Sequence, residues 1–153
     1  MPINTLTRFL DENKVEYVTI RHSPAYTAQK IAAAAHIPGR EVAKTVMVNV
    51  DGKMAMAVLR ATDQVDLDLL RGAAKAKSVT LASEDDFRDA FQGVELGAMP
   101  PFGNLYGMKV FADEALSKDA QIAFNAGSHT ELLQLDYADF ERLAKAKVAN
   151  FSR

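Results

Sequence analysis

Two strand-like runs, AKTVMVNV (43–50) and KMAMAVLRA (53–61), meet at the pair Asp51-Gly52. Asp-Gly between such runs is among the strongest short-range signals for a hairpin, since a tight two-residue turn needs positive φ and this pair tolerates it. The middle of the chain is thereby committed to an antiparallel strand pair, and the other elements have to be placed around it.

Periodicity supplies those elements. Ile3, Leu6, Phe9 and Leu10 follow helical spacing and predict a short amphipathic helix. YVTIRH (17–22) is β-branched and reads as a strand, while the Ala-rich TAQKIAAAAHIPG, capped by Thr27 and stopped at Pro38-Gly39, reads as a helix. VDLDLLRGAAKA is helical, SVTLA is a short strand, and SEDDFRDAF opens with Ser83 and Asp86 at capping-box spacing. MKVFAD (108–113) and QIAFNAG (121–127) predict strands, TELLQL (130–135) pairs back across Gly127-Ser128, and DYADFERLAKA forms a last helix. The order predicts one α+β domain over residues 1–153, with a mixed, mostly antiparallel, barrel-like sheet flanked by helices.

Composition narrows the chemistry. The 153 residues carry a formal net charge of -2, which argues against a basic sheath for DNA but leaves room for a pocket holding one end of a nucleic acid. There is no cysteine, so disulfides, thiolate nucleophiles and Cys-based zinc sites are excluded. His22, His36 and His129 lack metal-site spacing, so no metal and no cofactor is expected. The N-terminus shows no basic stretch followed by an apolar core, and apolar runs fall short of the ~20 residues that span a bilayer. A cytoplasmic protein with no membrane partner is the expectation.

Four features could carry function. Lys44 shares a strand face with Val46, Val48 and Val50, where a buried ammonium would need a partner. Two readings stand: a strand-end lysine that reaches water or a carboxylate, or a cation at a cavity mouth that meets an anionic or polarised ligand. FNAGSHTE (124–131) is either a plain hairpin or a turn that presents backbone amides beside the His129 imidazole. Ser128 and His129 are adjacent and would point to opposite faces, and no G-x-S-x-G elbow exists, so a Ser-His-Asp triad is rejected. His22 ends a strand, either as part of a helix-entry turn or over a cleft. GAMPPFGNLYG (97–107) joins two stiff prolines to three glycines that allow close approach, as a preorganised backbone site requires. The acidic run Glu84-Asp85-Asp86 is read as a solvated helix start.

Taken together these segments resemble the YbaK-type aminoacyl-tRNA deacylases, which are similar to the editing domain of bacterial prolyl-tRNA synthetases. The resemblance runs from RHSPAYTAQKIA to FNAGSHTELLQL and rests on the order of its parts: H-x-x-x-Y-T, the AKTVMV strand, GAMPP and NAGSH. It implies a freestanding, metal-independent hydrolase that cleaves the ester of a mischarged tRNA. Its implied partners are the aminoacyl-tRNA 3′ end and an aminoacyl-tRNA synthetase. By this resemblance Lys44 is catalytic, and His22, Thr45, Gly97, Pro101, Gly103, Gly127, Ser128 and His129 contact the substrate. Thr45 stands where alanine-clearing relatives carry asparagine, so the amino acid removed stays open. The alternative is a non-catalytic module that binds an aminoacyl-nucleotide or a tRNA acceptor end.

Overall fold

The computed structural model describes residues 2–22, 30, 33, 37–88 and 98–153. Helix α1 (Pro2–Glu12) buries Leu6 and Leu10, one turn apart, and leads into strand β1 (Tyr17–Arg21). The helix expected between Thr27 and Gly39 falls almost wholly outside the described residues; Lys30 and Ala33 within it are helical.

The central hairpin forms as its turn chemistry demands. β2 (Ala43–Val50) pairs with β3 (Lys53–Arg60) through Asp51 at φ 50° and Gly52 at φ 82°. These angles give the two-residue turn whose twist matches the strands. The Asp51 carboxylate also accepts the Lys77 and Ser78 amides, each at 3.0 Å, and so anchors the turn beside the next strand. Helix α2 (Leu67–Ala74) is capped by Asp66, and strand β4 (Val79–Leu81) pairs antiparallel with β2. Helix α3 (Glu84–Phe87) starts in the expected capping box between Ser83 and Asp86.

β5 (Lys109–Asp113) runs parallel to β3, and β8 (Lys147–Ala149) runs parallel to β5, giving a five-stranded sheet in the order β4-β2-β3-β5-β8. β6 (Gln121–Asn125) and β7 (Glu131–Asp136) pair antiparallel as expected, and β1 adds to β7 in a second, three-stranded sheet. Helix α4 (Tyr137–Ala144) follows β7 directly. The mixed, mostly antiparallel class is as expected, but the sheets do not close into a barrel. Among the described residues they are joined by one isolated bridge, Val42–Ala123, and their inner faces pack instead.

That packing makes two cores. Met47, Met56, Val58 and Val110 of the larger sheet meet Ile122, Phe124, Leu133 and Leu135 of the smaller one, with α1 and α4 completing the shell. On the other side of the larger sheet, Val48, Ala55, Ala57, Leu59 and Phe111 pack with Leu70 of α2 and Phe151. β3 is therefore buried on both faces, which is why its run is continuously apolar rather than alternating. A bidentate Arg60–Asp119 ion pair, at 3.2 and 3.1 Å, ties the end of β3 to the approach of β6.

Candidate active site

Strand alternation decides what each residue of β2 meets. Ala43 and Met47 enter the larger core, and Thr45 lies on their side; Val48 enters the α2 core, and Lys44 lies on its side. Lys44 is half-buried. Burial pushes its ammonium below the ordinary lysine value, and the Asp63 carboxylate pulls weakly the other way.

Lys44 lines a cavity of about 610 Å³ between β2 and the start of α2, together with Val46, Val65, Leu81, Asp66, Asp68 and Arg153. This volume is that of a small-ligand site. The two carboxylates are already engaged. Asp66 accepts the Asp68 and Leu69 amides at 3.0 and 3.1 Å, and Asp68 pairs with Arg71 at 3.3 Å. Neither Lys44 nor Arg153 is in an ion pair among the described residues. Lys44 and Arg153 share the cavity with these two carboxylates, and Lys44 is the cation held partly desolvated, where its charge acts more strongly than in water.

Arg153 reaches this place through a buried carboxylate. Asp113 is fully buried and accepts the amides of Ala115, Phe151 and Ser152 at 3.2, 3.0 and 3.1 Å. Phe151 is held in the α2 core, and Arg153 then exchanges two backbone bonds with Gln64, at 3.0 and 2.8 Å. Sequence reasoning passed over Asp113 and Arg153, because nothing local says that two segments so far apart will meet.

The second cluster forms around the NAGSH turn. The Val42–Ala123 bridge is parallel, so the backbone of Lys44 runs level with Asn125, where β6 enters the turn. Ile37 packs against both Val42 and Ala123 and closes this side. Gly127 adopts φ 100°, which only glycine takes without strain, and its amide donates to Ala98 O at 3.1 Å. The turn is thereby fastened to the proline loop. The Ser128 hydroxyl meets the Thr130 hydroxyl at 3.2 Å and the Thr130 amide at 3.4 Å, and His129 is buried. The His22 amide donates to Thr130 O at 2.9 Å, extending the β1–β7 ladder to the same turn.

Residues 98–103 are all buried, Pro101 among them. Gly103 faces inward: a Cβ there would stand 3.0 Å from Val110, 3.2 Å from the Met108 carbonyl and 3.2 Å from the Met56 sulfur. The close approach at Gly103 is to the protein's own core. Gly97 lies outside the described residues. Backbone bonds therefore bring together His22, the Gly127–His129 turn and the start of the proline loop, with β2 alongside, while Thr45 and Gly103 face the larger core. Asn125 emerges as an unexpected candidate, since its Oδ1 is buried and accepts no hydrogen bond among the described residues. Its only sequence signal was its position at the edge of the turn.

The fold and these two clusters define a class: an α+β protein with a partly desolvated lysine at a ligand-sized cavity and, outside that cavity's lining, a backbone turn fastened to the proline loop. The family model described as an aminoacyl-tRNA editing domain matches residues 22–143, and the chain belongs to that family. Among curated proteins it is similar to the multifunctional Ser/Thr-tRNA deacylase ProXp-y of Escherichia coli K12, at 28% identity over 97% of this chain and 91% of that protein. It is 26% identical to the prolyl-tRNA editing protein ProX of Acetoanaerobium sticklandii, over 93% of this chain and 90% of that one. A solved structure proposed to be a trans-editing enzyme for prolyl tRNA synthetase matches with a TM-score of 0.83 at 17% identity, over 99% of this chain and 97% of that one. At that identity the likeness carries the fold. Among the described residues, no helix is long and apolar enough to cross a membrane.

Proposed function

We propose that this protein is a trans-acting aminoacyl-tRNA deacylase that hydrolyses the ester between a wrongly attached amino acid and the 3′ end of tRNA. The observation that carries the reading is Lys44, an ammonium held half-desolvated, with no ion pair among the described residues, at a cavity of ligand size. Family membership supplies the reaction class.

Water attacks the ester carbonyl, the carbonyl oxygen gains negative charge, and the C–O bond to the ribose breaks to leave a free amino acid and a tRNA hydroxyl. Lys44 stabilises the negative charge of the ester region or of the adjoining phosphate. Backbone groups of the turn at Gly127, Ser128 and His129 hold the aminoacyl end, and their fastening to Ala98 supports this role by fixing them before substrate arrives. His22 and Gly97 complete the proposed binding set, while Thr45, Pro101 and Gly103 support it from the core side. The partner is the aminoacyl-tRNA 3′ end, with a synthetase as source of the mischarged product, and the reaction takes place in the cytoplasm.

The test is a panel of mischarged aminoacyl-tRNAs that starts with seryl- and threonyl-tRNA, the substrates in the name of the Escherichia coli relative. Turnover of at least one, lost by about a hundredfold or more in Lys44→Ala, is the expected result. Binding with the ester recovered intact for every substrate would instead make the protein a non-catalytic acceptor-end module.

A further inference from the structure

A second hollow, of about 450 Å³, lies at the other end of α2 from the Lys44 cavity. Lys44 sits beside Leu67 at the start of that helix, whereas Ala74 at its end lines this hollow together with Lys109, Lys145 and Lys147. Among the described residues that line it there is no carboxylate. This is unusual in a chain with net charge -2, where acids outnumber bases 20 to 18. Parallel register sets the lysines side by side: Phe111 pairs with Lys147, so Lys109 stands level with Lys145, the left-handed residue that ends α4. All three lysines are exposed. Lys147 gives one hydrogen bond to the last turn of α2, at Ala73 O, 2.8 Å. Lys109 and Lys145 make no ion pair among the described residues.

Asn104 supplies the second observation. Its amide nitrogen donates to Leu143 O at 2.9 Å, which fixes the orientation of the side chain, and its Oδ1 is buried with no hydrogen-bond partner among the described residues. It lines the same hollow. Its Oδ1 has no accessible surface, so the side chain shapes the wall of the hollow by tying it to α4.

We propose that this hollow binds the sugar–phosphate backbone of the tRNA substrate, its three lysines meeting the phosphates. The inference rests on the deacylase reading for the identity of its ligand. Distance supports it. Lys44 pairs with Leu59 and Lys109 with Ala55, so the two sites are offset by four residues along the strands and two strand spacings across. That is roughly 16 Å, a few nucleotides of RNA away from the ester. A cation patch at this separation holds the body of the nucleic acid while leaving the 3′ end free to enter the Lys44 cavity. The other possible source of the same chemistry is a free phosphate.

The experiment compares the wild-type protein with Lys109→Gln/Lys145→Gln and with Arg8→Gln/Lys14→Gln, which removes the same charge outside the hollow. Binding of uncharged tRNA is followed across a salt series, with thermal unfolding as the check on folding. The pocket variant is expected to bind at least about tenfold more weakly, and its log–log salt slope to be shallower by about 1.4–1.8, at roughly 0.7–0.9 for each of two lost phosphate contacts. The control variant should keep a slope closer to wild type. Hydrolysis of an aminoacyl-adenosine ester, which has no RNA body, should be the same in all three. Wild-type affinity and slope in the pocket variant overturn the proposal. So does lysine-dependent binding of inorganic phosphate with tRNA binding unchanged, which would make the hollow a free-anion site. Should no ester be cleaved while tRNA binding still depends on Lys109 and Lys145, the deacylase reading falls and this one stands.

Discussion

The proline loop and the start of β2 are both flagged by sequence, yet the structure buries them in opposite ways. Ala98 to Gly103 lie in the dry interior, and the Phe102 ring packs against Phe9, Phe124 and Phe140 at centroid distances of 6.1, 5.7 and 5.6 Å. Lys44 is only half-covered, at a cavity whose carboxylates are engaged elsewhere. A backbone that must hold a fixed shape gains from complete apolar burial. A cation that must act on a ligand cannot be buried to that degree, because desolvation would strip its charge. Stiffness and charge therefore sit in different environments, and the Gly127–Ala98 hydrogen bond fastens the turn to the stiff one.

The largest effect should come from emptying the dry side. Phe102→Ala should destabilise the protein by about 3–5 kcal/mol, read by denaturant unfolding, because a fully buried ring with three aromatic neighbours leaves a cavity the packed loop cannot fill. Overfilling it comes next. Gly103→Ala should cost about 1–3 kcal/mol, since one of the atoms a Cβ meets is the Met108 carbonyl, which cannot swing aside. A result near zero would mean that the loop is not tightly held.

On the polar side the same measurement should move far less. Lys44→Met should change stability by no more than about 1 kcal/mol while abolishing turnover. The pH dependence separates the roles further. Burial lowers the Lys44 value in the folded state, so the folded protein gives up that proton at lower pH than the unfolded chain does. Between the lowered value and the ordinary lysine value, stability rises with pH, and Lys44→Met should lack that rise. Turnover that depends on the ammonium moves the other way and should fall on the alkaline side before an ordinary lysine titrates. Least of all, Ser83→Ala should remove the α3 cap and cost about 1 kcal/mol without touching either region.

Much of this architecture was legible in advance where the signal is local. Asp51-Gly52, the Ser83–Asp86 box, the helical spacing of Leu6 and Leu10, and the return of β7 across Gly127 each express a preference contained within a few residues. β8 went unpredicted, because three residues of KVA carry no periodicity and become a strand only through β5. The expected barrel failed for a similar reason: closure depends on how two sheets meet, and among the described residues one bridge, Val42–Ala123, joins them.

The candidate site divides along the same line. From sequence alone, alternation put Lys44 on the valine face, and the ordered motifs named the turn and the loop. Tertiary structure decided that the loop is interior, that Gly103 serves the core, and that Arg153 and Asn125 stand near the proposed chemistry. It also drew three lysines from β5, α4 and β8 to one end of α2. Alternation and turn preference act between neighbours in the chain, so a sequence carries them openly. Burial and the convergence of charges depend on which distant segments pack together, and only the folded chain settles that.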